Sequence, residues 1–78
     1  MKSEFTPIEK ITASEQIAEM LLKYILRGGV SPGDKLPPER TLAAQFGVTR
    51  TTLREALKKL EQLKLISIRQ GQGIIVED

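Results

Sequence analysis

The chain has 78 residues, 40% of them hydrophobic and 28% charged, with a formal net charge of +2. Its length suits one small domain with a single modest core, and its composition is that of a folded soluble chain rather than a disordered one. Cysteine and histidine are both absent, which excludes disulfides, thiolate chemistry, the usual zinc sites and imidazole acid–base catalysis.

Residues 1–11 are expected to form a flexible arm, with Pro7 breaking any early helix. Thr12, with Glu15 three residues later, has the form of a capping box. From there Ile17, Met20, Leu21, Tyr24 and Ile25 recur at helical spacing and predict a first amphipathic helix that ends at Gly28-Gly29. Ser31-Pro32-Gly33-Asp34 predicts a turn, with a very short strand at Lys35-Leu36 after it. Pro38 suits the first turn of a second helix that runs to about Phe46 and stops at Gly47. Thr49 then caps a third helix reaching about Leu63. Leu65 to Gln70 alternates apolar and polar residues, Gly71-Gln72-Gly73 predicts a turn, and Ile74 to Val76 is β-branched throughout, which together predict a hairpin.

This order gives a mainly α fold with a small β-hairpin. It is the outline of a winged helix-turn-helix domain: three helices and a two- or three-stranded antiparallel wing, over residues 12–78. The third helix carries the functional signal. At 100° per residue Leu53, Ala56, Leu57 and Leu60 group on one side, while Arg50, Thr51, Arg54 and Lys58 group roughly 120° away. One face therefore packs and the other presents donors near the helix start, where free amides and the dipole favour phosphate oxygens. Charge points the same way. Between Arg40 and Gln72 there are seven cations and two anions, a concentration expected of a surface that meets a polyanion. Double-stranded DNA is the expected partner. An enzyme is not expected, because the carboxylates are scattered and form no acid–base pair or metal cluster. No apolar run approaches the ~20 residues of a membrane span, and MKSEFTPIEK lacks the apolar centre of a secretory signal. A cytoplasmic protein without membrane contact is expected.

SPGDKLPPERTLAAQFGVTRTTLREALKKLEQLKLI followed by RQGQGIIV resembles the N-terminal DNA-binding domain of GntR-family bacterial transcription regulators. The resemblance rests on PGxxLPxER, GV(T/S)RTT(L/V)REAL and the QGxG wing tip, in order over about residues 12–77. GVTRTTLRE is similar to the FadR-type branch. The resemblance implies a metabolite-responsive regulator, a repressor, that binds a palindromic operator as a homodimer when full-length. It places the recognition helix, about residues 49–63, in the major groove and wing-tip residues 70–73 at the minor groove. It also implies a C-terminal effector-binding and dimerisation domain, absent here, so that this chain is expected to be the N-terminal piece of a longer regulator. No cofactor or metal is expected in the chain itself, and a small-molecule effector is expected for the missing domain.

Roles follow from the resemblance residue by residue. Arg40 matches the arginine that reaches DNA from beside the recognition helix; its structural alternative is a pair with Glu39 or another neighbour. Thr49 caps the helix and can also touch phosphate. Arg50 and Arg54, four residues apart, have the planar fork that matches guanine N7 and O6; intrahelical ion pairs are their alternative. Thr51 can bond phosphate or a base edge, and Thr52 turns towards the DNA backbone. Lys58 and Lys59 are expected to be solvated or to act as long-range phosphate attractors. Gln70 and Gly71 match the wing-tip positions, although Gln70 brings no charge where some members carry histidine or arginine. Lys64 stands where the family usually has glycine, which predicts a strained or differently shaped helix exit. Two other uses of the fold remain open on the residues alone: nonspecific DNA binding, and a winged-helix protein-interaction module.

Overall fold

The computed structural model describes residues 11–77. The arm expected over residues 1–11 therefore lies, apart from Ile11, outside the described residues. Three helices come first: α1 (Ala13–Leu26), α2 (Glu39–Phe46) and α3 (Arg50–Gln62). A two-stranded antiparallel sheet follows, formed by β1 (Ile66–Arg69) and β2 (Gly73–Val76). The register pairs Ile66 with Val76 and Arg69 with Gly73.

Local chemistry sets most boundaries. The capping box at α1 is complete: Thr12 Oγ1 accepts the Glu15 amide at 3.1 Å, and Glu15 Oε1 accepts the Thr12 amide at 3.0 Å. Pro38 immediately precedes α2 and makes no side-chain cap, leaving Glu39 as the first helical residue, at the positive end of the helix dipole. Gly47 ends α2 in the left-handed conformation, φ 69°, which glycine adopts without a Cβ penalty. The Val48 amide then returns to the Ala43 carbonyl at 3.0 Å, and Thr49 opens α3. The turn between the two helices is thus three residues long.

The expected short strand at Lys35-Leu36 is reduced to one bridge, Lys35 with Ile75. Even so, the segment lies along the free edge of β2. Gly33 and Leu36 donate to the Val76 and Ile74 carbonyls at 2.8 and 2.9 Å, and the Val76 amide donates to the Asp34 carbonyl at 2.8 Å. This covers an edge that would otherwise expose unpaired backbone groups.

The core lies between α1, α3 and the inner face of the hairpin. Ile17 and Leu21 of α1 meet Leu53, Ala56, Leu57 and Leu60 of α3, with Leu36, Leu42, Ile66, Ile74 and Val76 closing the cluster. Leu53, Ala56 and Leu57 have no exposed surface at all. The helical spacing of the leucines thus fixes which side of α3 faces inward.

Candidate nucleic-acid interface

Burying that side of α3 leaves the opposite one bare. Arg50, Thr51, Arg54, Glu55 and Lys58 are all exposed, and Thr51, Arg54, Glu55 and Lys58 line a shallow depression of about 280 Å³. Arg50 and Arg54 are one helical turn apart, and their side chains are 58% and 56% exposed. Neither makes the intrahelical pair that sequence reading weighed against DNA contact. Both turn instead to Glu39 on α2, and to the same oxygen. Glu39 Oε1 accepts from Arg54 Nε at 2.9 Å, from Arg50 Nη2 at 3.1 Å and from Arg50 Nε at 3.4 Å.

Glu39 is the site residue that sequence reading missed as a partner of these arginines. It precedes them by 11 and 15 positions, spacings that carry no signal on a single helix. The helix-turn-helix connection brings the starts of α2 and α3 together, and only that geometry reveals the cluster. Partial burial acts to raise the Glu39 pKa, but the hydrogen bonds and positive charges of Arg54 and Arg50 outweigh it. The net effect holds Glu39 below the ordinary value of 4.5, as a carboxylate between two guanidinium groups should be.

The other expected site residues fall as follows. Arg40 is exposed and, among the described residues, has no acidic partner within ion-pair distance. The alternative of an Arg40–Glu39 pair does not form: adjacent residues on a helix do not face each other, and Glu39 turns to Arg50 and Arg54. Thr49 caps α3: its Oγ1 accepts the Thr52 amide at 3.2 Å and donates to Thr52 Oγ1, also at 3.2 Å. The hydroxyl hydrogen of Thr49 is thereby used, whereas half-buried Thr52 keeps its own hydrogen to offer outward. Thr51 is exposed beside Arg54. Gln70 and Gly71 occupy the exposed hairpin turn, with the Gln72 amide returning to the Arg69 carbonyl at 3.0 Å. Gly71 has φ 80°, and a Cβ there would meet nothing within 4 Å; its backbone conformation, not crowding, is what favours glycine.

Of the remaining cations, Lys59 reaches Glu15 at 3.8 Å and Arg69 reaches Glu77 at 3.7 Å. Arg40, Lys58 and Lys64 have no such partner among the described residues. Among those residues no group of three or more acids could hold a metal ion, and no helix is long and apolar enough to cross a membrane.

This arrangement has close counterparts. Residues 13–76 match the family model of bacterial regulatory proteins, gntR family. The chain belongs to the GntR family. Among its relatives, the HTH-type transcriptional regulator Rv0494 of Mycobacterium tuberculosis is 45% identical over 76 residues, covering 97% of this chain and 31% of that protein. The mannosyl-D-glycerate transport/metabolism system repressor MngR of Escherichia coli is 41% identical over 63 residues, covering 81% of this chain and 26% of the repressor. This chain thus spans less than a third of the length of either relative. In three dimensions it resembles the AraR DNA-binding domain in complex with operator ORX1, with a TM-score of 0.83 and 32% identity, over 92% of this chain and 89% of that one. The winged helix-turn-helix architecture expected from the sequence is therefore the fold of this GntR domain.

Proposed function

We propose that this GntR domain is a sequence-reading head for double-stranded DNA. In this reading α3 enters the major groove with Arg50 and Arg54 towards base edges. Thr51, Thr52 and Arg40 meet the sugar-phosphate backbone and flanking bases, Thr49 joins them when its hydroxyl hydrogen turns from Thr52 to a phosphate, and Gln70 and Gly71 approach the adjacent minor groove. The observation that carries the reading is the start of α3, where two exposed arginines stand one turn apart on the side away from the core. An arginine fork matches the N7 and O6 acceptors of guanine, and a bidentate contact of that kind is the commonest specific one in the major groove. The likeness to the AraR domain, whose structure is that of an operator complex, supports the same placement. A protein-interaction winged helix would want an apolar or acidic α3, which this is not.

The wider regulator is part of the same proposal. It would act in the bacterial cytoplasm as a homodimer on a palindromic operator, as a repressor whose small-molecule effector binds outside these 78 residues. A single head buries only about 600–1,000 Å² against DNA, so the isolated domain should bind weakly and with strong salt dependence.

Selection from random duplexes, followed by titration at several salt concentrations, tests this. A short half-site containing guanine is expected to emerge. Arg54→Ala should abolish preference at one position, at about 1–3 kcal/mol. Equal affinity for every duplex would make this a nonspecific DNA binder, and no binding at low salt would favour the protein-interaction module.

A further inference from the structure

Glu39 stands inside the proposed reading surface, yet it carries the charge that DNA repels. It projects from the first residue of α2 and is more enclosed than the arginines it holds, at 22% side-chain exposure against 58% and 56%. All three hydrogen bonds to the arginines end on Oε1. The nitrogens used matter as much as the distances. Arg54 is gripped through Nε, and Arg50 through Nε and Nη2 on the same flank of its guanidinium. In each case the far edge of the group, Nη1 with the outer hydrogen of Nη2, remains unused by Glu39. That far edge is the end-on fork able to span guanine N7 and O6.

We infer that Glu39 is a positioning residue for base reading: it holds Arg50 and Arg54 by their flanks, keeps their end-on forks free, and keeps them off the phosphates. The inference rests on the duplex-reading proposal above. Three physical effects support it. One carboxylate between two guanidinium groups relieves the repulsion of placing two cations a helical turn apart. Anchoring the long side chains before DNA arrives reduces the rotamer freedom lost on contact, which favours the geometrically demanding base contact over a loose one. Finally, the negative charge of Glu39 works against any neighbouring phosphate, so it penalises the nonspecific register more than the base-reading one. The price is one unit of attractive charge at the surface.

The experiment compares wild type, Glu39→Gln and Glu39→Asp on the selected duplex and on a scrambled one, each across a salt series. Folding is checked in parallel by circular dichroism. Glu39→Gln keeps the shape and removes the charge. It should bind the scrambled duplex more tightly at low salt and steepen the plot of log K against log salt by about 0.9 for each freed arginine that reaches a phosphate. The affinity ratio between selected and scrambled duplex should fall on the order of tenfold. Glu39→Asp keeps the charge but falls one methylene short, and should lie between the two. A merely structural Glu39 would weaken both duplexes alike with the salt slope unchanged, and that result overturns the role. Equal discrimination by wild type and Glu39→Gln overturns it too, while leaving sequence reading intact. If wild type itself does not discriminate, the duplex-reading proposal fails, and the role of Glu39 with it.

Discussion

The Leu65 amide donates to the Leu60 carbonyl at 3.1 Å, closing the end of α3 around Lys64. The Lys64 amide meets the Glu61 carbonyl at 2.9 Å, and Lys64 itself sits at φ 63°. This paired return is the Schellman arrangement, and Gly47 with Val48 makes the same one at the end of α2. Lys64 therefore does not reshape the exit expected for glycine; it adopts that exit and bears the strain. A left-handed L-residue costs about 1–2 kcal/mol, offset in part by the greater unfolded-state freedom of glycine. Lys64→Gly should accordingly stabilise the domain by roughly 0.5–1 kcal/mol, read as a higher urea midpoint with an unchanged m-value. A lower midpoint would mean that the lysine side chain contributes something its exposed position does not suggest.

Leu57 tests how far the inner face of α3 carries the fold. It has no exposed surface and lies in the same cluster as Ile17 and Leu21 of α1. Truncating such a side chain costs about 2–5 kcal/mol, while the whole stability of a domain this size is on the order of 4–12 kcal/mol. Leu57→Ala should therefore remove a large share of the folded state. Calorimetry should show a melting transition that is much lower or lost, and DNA binding should fail together with folding. A small shift would imply that the core collapses around the missing atoms.

The parts of this molecule written in the sequence are those that depend on neighbours along the chain. Thr12 with Glu15, Gly47, and the leucine stripe from Leu53 to Leu60 each act within one helix or turn, so spacing alone exposes them. The wing was legible as alternation, although the Lys35 edge contributes a single bridge, being followed at once by Pro37 and Pro38, which have no N–H to extend a ladder. What could not be read is the three-way meeting of Glu39, Arg50 and Arg54. Each residue taken alone has an ordinary explanation. The contact exists only because a left-handed Gly47 swings the start of α3 back beside the start of α2. Arginines named as readers of bases were thus identified correctly as exposed and grouped, but the group that holds them was not.

Acid should reveal that group. The Arg54 and Arg50 contacts prevail over partial burial and hold Glu39 below 4.5. Hydrogen bonding to Thr12, aided by Lys59, lowers Glu15 likewise. A carboxylate whose pKa is depressed on folding stabilises the native state above its unfolded pKa, and that contribution is lost as pH falls through the folded value. Stability should then hold from neutral pH down to about 4.5 and decline below it. In the Arg50→Ala/Arg54→Ala double variant, carbon-detected NMR should show the Glu39 titration midpoint moving upward, with the Glu15 midpoint unmoved. A Glu39 midpoint unchanged by the loss of both arginines would refute the shared contact.

The wing offers a gain-of-function test. Arg69 is drawn back along the strand, donating through Nε to Ser67 Oγ at 3.3 Å and pairing with Glu77 at 3.7 Å. The exposed turn itself, Gln70-Gly71-Gln72, carries no charge. If that turn lies at the minor groove, an arginine at its first position gains phosphate and groove contacts that glutamine lacks. Gln70→Arg should raise affinity at low salt and steepen the salt dependence by about 0.9. The base preference set by Arg50 and Arg54 should stay the same, because the added cation meets the backbone rather than the major-groove edges. Fluorescence anisotropy on the selected duplex over a salt series measures both quantities. An unchanged slope would place the wing tip away from the duplex and confine DNA contact to the helix-turn-helix.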